Sequence, residues 1–494
     1  MEEKNVLSRT DRLELIYKEQ ITQVFSAESV IPDTMPDAAA ILFADARIYL
    51  RSGTTTDGAL ALEGTLEGSA VYLPEGEGAP EMLSVSIPVT MTARGEQFDE
   101  NCRILYNAAV IGAEARMVNS RKISFRAEAA ADVSVCRNGS IDLTADIETV
   151  DKPEILPGEV DIGYIQDIGE KTFTVADDVD LPTSIEKILW YQTNLFVENA
   201  KKVGERTILQ GGVELQLMYL PPESDTPCFG VFHIPFSQLA EASGEDTAIA
   251  AVDFRTESCF VEILPGLNSS DTVSLEMQLT AQLIYVGEKK LTWISDAYSL
   301  HCPLIVRRET LKTTGPYISS AKKTTVKEFI KLPEQAKEIL AVQTRMTPCV
   351  RSDTGIKTAA CICILFRAEN ALRTVTKKLP VEIREESAGE CLYCKAVCSE
   401  PYKSLQGDGL QLQFDVDLMT VCANAQSIEY ISRMEEDAAA DAACRVYPSI
   451  TAVKAGERSL WELAKTYHST VALIEAVNDA ECDPNGLLLI PRGR

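Results

Sequence analysis

Several stretches of the chain alternate strictly between apolar and polar residues. Val273-Ser274-Leu275-Glu276-Met277-Gln278-Leu279 and Leu410-Gln411-Leu412-Gln413-Phe414-Asp415-Val416-Asp417-Leu418 are the clearest, and Ile123-Ser124-Phe125-Arg126-Ala127-Glu128 is a weaker version. A period of two puts successive side chains on opposite faces, so these runs predict strands with one face buried and the other wet. An amphipathic helix would need apolar residues three and four apart instead. Breaks rich in Gly and Pro, such as Pro74 to Pro80 and Leu220 to Pro227, separate the runs at hairpin-like intervals. The pattern therefore predicts antiparallel β domains, sandwiches or rolled sheets.

Landmarks recur along the chain at a period far too long for a solenoid, which points to duplication of a whole domain. An Ile/Leu-Pro pair precedes an apolar strand three times: Ile31-Pro32 before Ile41-Leu42, Leu181-Pro182 before Ile188-Leu189, and Leu332-Pro333 before Ile339-Leu340. These prolines stand 150 and 151 residues apart. A strand ending in an aromatic follows, at Tyr72, Tyr219 and Phe366, spaced 147 and 147. The third landmark is a proline inside an apolar stretch, Pro88, Pro235 and Pro380. Proline cannot donate to a ladder, so each belongs on an edge strand or at a bulge. A hydrophobic residue seven positions before each Ile/Leu-Pro proline (Phe25, Val175, Val326) extends the repeat backwards. The expected organisation is a tail at 1–11, repeats at 12–150, 160–308 and 315–433, an acidic Ala-rich linker at 434–448 and a small unit at 449–494.

That last unit reads βααβ: a strand from Ile450 to Val453, a Gly turn, two helices and a strand from Leu487 to Ile490. Leu460, Leu463, Ala464 and Tyr467 share one helical face, Ser459 and Glu462 form a capping box, and Thr470 caps the second helix, whose Val471, Ile474 and Val477 complete a small core. Val453-Lys-Ala-Gly456-Glu457, Leu460-Trp461-Glu-Leu463-Ala464-Lys-Thr-Tyr467, Thr470-Val471 with Leu473-Ile474-Glu-Ala476, Asn478 and Leu489-Ile490-Pro491 resemble a LysM domain almost from end to end. The three upstream repeats resemble the SPOCS domain of spore coat and envelope proteins. Repeats of this kind followed by LysM look like the clostridial SipL family of morphogenetic proteins.

The resemblance implies a mainly β fold of three tandem antiparallel sandwich-like SPOCS domains followed by a βααβ LysM domain. It implies a non-enzymatic scaffold in spore coat and envelope assembly, in the mother-cell cytoplasm at the forespore surface, with the repeats as protein-binding platform and LysM as targeting module. Such a LysM groove lies between two loops, here Gly456, Glu457, Arg458 and Ser459 on one side, and Asn478, Pro484, Asn485 and Gly486 on the other. The family usually binds N-acetylglucosamine glycans there, so an anchor on peptidoglycan is the alternative reading. The first loop is one residue longer than the usual run, and Asp483-Pro484-Asn485-Gly486 replaces the common Pro-Gly-Gln. The implied alternative ligand is a protein, the coat-base ATPase.

Composition narrows the remaining classes. With 494 residues the chain should divide into three or four domains, and its 45% hydrophobic and 24% charged residues mark it as globular. A net charge of −27 opposes nucleic acid and anionic lipid. The N-terminus carries no signal-like h-region and no run suits a spanning helix, so a cytosolic protein is expected. Fourteen cysteines fall irregularly on apolar runs, as reduced thiols do. Cys391, Cys394 and Cys398 could join Cys361 or Cys363 around zinc or an iron–sulfur cluster, but metal spacing usually comes as two tight pairs. His233, His301 and His468 stand far apart, and no phosphate-loop, zincin or nucleophile-elbow pattern occurs. The sequence thus predicts no catalytic residue, metal or cofactor.

Overall fold

A computed structural model of the chain describes residues 5–76, 78–148, 153–244, 246–264, 270–352, 354–369, 371–384, 389–437, 449–454, 456, 458–478 and 487–493. Strands dominate, as the alternation requires. The first repeat runs β1 (Asn5–Val30), β2 (Ala38–Thr56), β3 (Ala59–Pro74), β4 (Glu81–Arg94), β5 (Arg103–Asn119) and β6 (Lys122–Glu148). The second runs β7 (Glu154–Ile185), β8 (Lys187–Val203), β9 (Arg206–Leu220), β10 (Cys228–Glu241), β11 (Thr247–Ile263) and β12 (Ser270–Tyr298). In the third, β13 (Leu304–Thr314) and β14 (Ile318–Lys331) replace one long first strand. Then come β15 (Glu338–Met346), β16 (Val350–Ser352), β17 (Gly355–Ala368), β18 (Ala371–Ile383), β19 (Glu390–Cys398), β20 (Tyr402–Gln406), β21 (Gly409–Ala423) and β22 (Ala425–Glu436). Gly315-Pro316 accounts for the first break, because proline supplies no ladder donor and glycine no side chain to pack.

All three repeats pair their strands alike. One sheet is an antiparallel meander, β2-β3-β4, β8-β9-β10 or β15-β17-β18, and the other sets the long last strand between the first and fifth, as β1-β6-β5, β7-β12-β11 or β14-β21-β19. Within the meanders Ile41 faces Tyr72, Ile188 faces Tyr219 and Ile339 faces Phe366, and a bulge follows in each case, at Leu42, Leu189 and Leu340. The three aromatics are buried in their central strands. A buried phenol needs a partner: Tyr72 donates to the Pro36 carbonyl at 3.1 Å, and the Tyr219 hydroxyl meets Thr183 Oγ1 at 2.9 Å. Phe366 carries no such demand. Pro88, Pro235 and Pro380 are exposed on β4, β10 and β18, each an edge strand.

The alternation becomes a core where the two sheets face each other. Val273, Leu275, Met277 and Leu279 point inward while Glu276 and Gln278 meet solvent, and Leu410 to Leu418 behaves the same way. Phe25, Leu62, Leu66 and Phe125 anchor the first core, Phe173, Leu215, Phe254 and Met277 the second, and Ile330, Ile364, Phe366 and Phe414 the third. Each such side chain contributes about 1.5–3 kcal/mol by leaving water.

The ends of the elements differ from the sequence reading. Strand β1 starts at Asn5, inside the stretch read as a tail, because its backbone pairs with β6 from Asn5↔Ala145 onward. Strand β7 starts at Glu154, and β13 fills the gap between the second and third repeats by pairing with β22. The latter runs past 433 to Glu436, and Met434 is fully buried. These extensions form a shared stalk. Its strand order is β12-β7-β1-β6-β22-β13, with a single bridge at Leu13↔Ile165 and a parallel join from Arg433↔Asp146 to Glu435↔Glu148. Ile141, Leu143, Ile162, Leu291 and Ile428 fill it from all three repeats.

The repeats also meet through corresponding positions at the opposite end of the stalk. Asp45, Gln192 and Gln343 each lie four residues beyond the Ile of the bulged pair, and Arg345 lies six beyond it. Asp45, buried, accepts from Trp190 Nε1 at 2.7 Å and pairs with Arg345, so one carboxylate touches the second and third repeats together. Gln343 donates to Gln192 beside it. Asn107 of β5 donates to Asp253 of β11 at 2.7 Å, and Lys395 of β19 pairs with the same carboxylate. Around these contacts lies a cavity of about 730 Å³ lined by all three repeats.

Burial alone would raise the Asp45 carboxyl, but Arg345, Arg47 and the Trp190 N–H outweigh it and hold the group below its ordinary value of 3.8. A depressed folded value means the contribution is complete above the ordinary range and is lost as pH falls through the depressed one. Removing one partner of a buried ion pair costs about 3–5 kcal/mol, since the other charge stays buried. Asp45→Ala should therefore lower the urea midpoint by an amount equivalent to about 3–5 kcal/mol. The difference from wild type should shrink below about pH 3.8. An unchanged midpoint would remove Asp45 from the account of how the repeats hold together.

Candidate functional site

The C-terminal module consists of β23 (Ile450–Lys454), α1 (Leu460–Tyr467), α2 (Val471–Val477) and β24 (Leu487–Pro491), with β23 and β24 antiparallel. Ser459 starts α1 with a reciprocal cap: its hydroxyl accepts the Glu462 N–H at 3.2 Å, and its own N–H reaches the Glu462 carboxylate at 2.8 Å. Thr470 caps α2 by accepting the Leu473 N–H at 3.1 Å. Leu463, Ala464, Ile474, Leu488 and Ile490 form the core. Val477, expected inside it, is 47% exposed although it shares a helical side with Ile474, because it is the last residue of the short α2.

The residues of the expected groove fall into three groups. Gly456, Arg458 and Ser459 are exposed on the loop between β23 and α1. Gly456 has φ +59°, a conformation that suits a residue without Cβ, and Arg458 reaches back to the Lys454 carbonyl at 3.1 Å. Asn478 is occupied internally: its amide donates to the Ile474 and Leu489 carbonyls at 2.7 Å each and accepts the Leu489 N–H at 2.9 Å. It pins the end of α2 to β24 and leaves little side-chain capacity for a ligand. Glu457, Pro484, Asn485 and Gly486 lie outside the described residues. Among those described, no hydrogen bond joins Asn478 to the first loop.

The opposite face of α1 is docked on the stalk, which the residue pattern of the module did not reveal. Trp461 packs edge-on against Tyr298 with ring centroids 4.9 Å apart, and its Nε1 donates to Asp296 at 2.9 Å. Lys465 reaches the same carboxylate at 2.7 Å, and Arg308 joins it from β13 at 2.9 Å. The Tyr298 hydroxyl donates to the Ser469 carbonyl at 2.8 Å. Gly493 lies against Leu300 so closely that an added Cβ would come within 2.7 Å of its side chain. The spacing of Trp461 and Lys465, one helical turn apart, was the available signal, but their acceptor stands 165 residues upstream of Trp461.

The remaining chemistry disperses. Cys391 stands opposite Cys422, whereas Cys394 lies beside Cys349 and Cys398 beside Thr344, so the cysteine run does not converge on one point. Among the described residues no group of three or more candidate metal ligands occurs. Burial, then Arg492, pull the His468 imidazole below its ordinary value at the C-cap of α1. Among the described residues no helix is long and apolar enough to cross a membrane.

Burial would raise the Asp296 carboxyl, but its bonds to Lys465 and Trp461 hold it below 3.8. Docking should therefore be complete above that value and weaken as pH falls through the depressed one. Asp296→Ala should cost about 1–2 kcal/mol of docking, the low end for charge-assisted bonds because the group is partly exposed. Amide exchange across Leu460–Tyr467 should quicken in this variant. Unaltered exchange would show that the apolar contact alone holds the module.

Residues 184–280 match a family model described as SipL, SPOCS domain. The stretch runs from the end of β7 into the alternating part of β12, taking in the whole meander and β11 of the second repeat. No curated protein and no solved structure matches the chain. Over this stretch the chain is similar to the SPOCS domain of SipL-type proteins.

Proposed function

We propose that the protein is a non-enzymatic scaffold of spore coat and envelope assembly, with three SPOCS-like repeats forming a protein-binding platform and a LysM-like module directing it to a protein partner at the forespore surface. The observation that carries this reading is the match of residues 184–280 to the SipL SPOCS domain, within a repeat whose strand order recurs on either side. The joined stalk supports a rigid platform. Docking of α1 through Trp461 and Lys465 turns that face inward, while Gly456, Arg458 and Ser459 stay exposed. An exposed Arg beside a helix start suits an acidic patch on a protein partner.

Full-length protein carrying Arg458→Glu or Asn485→Ala should capture the coat-base ATPase about tenfold more weakly, the ~1.4 kcal/mol of a modest hot spot. Arg458→Glu should keep the wild-type melting temperature, since changes at an exposed position usually stay within about 0.5 kcal/mol. Saturable binding to N-acetylglucosamine oligomers, lost in the same variants, would replace the protein partner with the glycan. The purified protein should also leave peptidoglycan and nucleotides unhydrolysed. Turnover abolished by one point substitution would make it an enzyme.

A further inference from the structure

The third repeat places four thiols, Cys349, Cys391, Cys394 and Cys398, on the wall of the junction cavity. Cys391 on β19 stands directly opposite Cys422 on β21, beside the bulge at Leu392. Directly opposed residues of an antiparallel pair have Cα atoms about 4.5–5.5 Å apart, within the range a disulfide spans. The Cys391 thiol donates to the Tyr393 carbonyl at 3.3 Å, and the Cys422 thiol beside it lowers the Cys391 value. Lys18 donates to the Cys391 carbonyl, and with Arg351 it sets positive charge beside that sulfur.

We propose that Cys391 and Cys422 form a reactive dithiol that a low-molecular-weight disulfide of the glutathione type, entering the junction cavity, oxidises to a cross-strand disulfide. The Cys391 thiolate attacks one sulfur of the reagent, and the other half leaves as a thiolate that takes up a proton. Cys422 then gives up its proton and attacks the Cys391 sulfur of the mixed disulfide, which expels the second half as a thiol. Two protein thiols are oxidised and one disulfide is reduced to two thiols. The neighbouring Cys422 thiol and the nearby cations favour the Cys391 thiolate despite burial, whereas the neighbouring Cys349 thiol and burial push the Cys394 thiol up. Nucleophilic attack therefore falls to Cys391. Closure ties β21 to the strand that carries Tyr393 and Lys395 into the junction.

The test incubates the folded full-length protein with oxidised glutathione, alkylates it with iodoacetamide in urea, and maps peptides by mass spectrometry without reduction. The expected product links Cys391 to Cys422. In Cys422→Ser, checked for an unchanged circular dichroism spectrum, Cys391 should instead retain a glutathionyl group. Recovery of Cys391 in alkylated form from both proteins, or its linkage to Cys394, would overturn the proposal.

Discussion

One buried carboxylate connects all three repeats. Asp45 belongs to the first, the indole that donates to it to the second, and the guanidinium that neutralises it to the third. A charge at that depth is tolerable only while fully paired, so each repeat completes a site that the others would leave open. The Asn107–Asp253–Lys395 contact repeats the device on the fifth strands. Asp45 stands where the second and third repeats hold Gln192 and Gln343, so the carboxylate comes from one repeat alone. That difference gives the contacts a direction, and like charges do not meet.

Duplication of one domain therefore yields a body in which the copies are no longer interchangeable. Their ladders run on into the stalk, where Ile141, Ile162, Leu291 and Ile428 share a core, and the tip of the stalk offers Asp296 and Tyr298 to the C-terminal module. The small βααβ unit has a modest core of its own and gains an aromatic and charged contact with the end of β12. That contact holds the exposed loop of Gly456, Arg458 and Ser459 in a fixed place.

What could be read from the sequence follows from the range of the forces involved. Period-two alternation in β12 and β21 reflects local burial, and the edge prolines and the paired aromatics reflect backbone needs within one meander, so all were legible. The stalk was not, because Asn5 to Asp11 and Arg433 to Glu436 are held by backbone pairing with distant strands. Asp45 offered a signal in hindsight, a carboxylate in the apolar run Ile41-Leu-Phe-Ala-Asp45-Ala46, but its partners lie 145 and 300 residues away. In the C-terminal module the helices and the Ser459–Glu462 cap followed from local pattern. Asn478 proved to be a clamp on β24, and Trp461 a docking residue. Both roles depend on what lies across the fold from them.

The central claim is that three repeats with separate cores behave as one body. Native-state amide hydrogen exchange measured on β3, β9 and β17, the central strand of each meander, tests it most directly. The account predicts that the slowest amides of the three strands open with the same free energy, as parts of one cooperative unit. Three distinct opening free energies, each unaffected by mild denaturation of the other repeats, would contradict it.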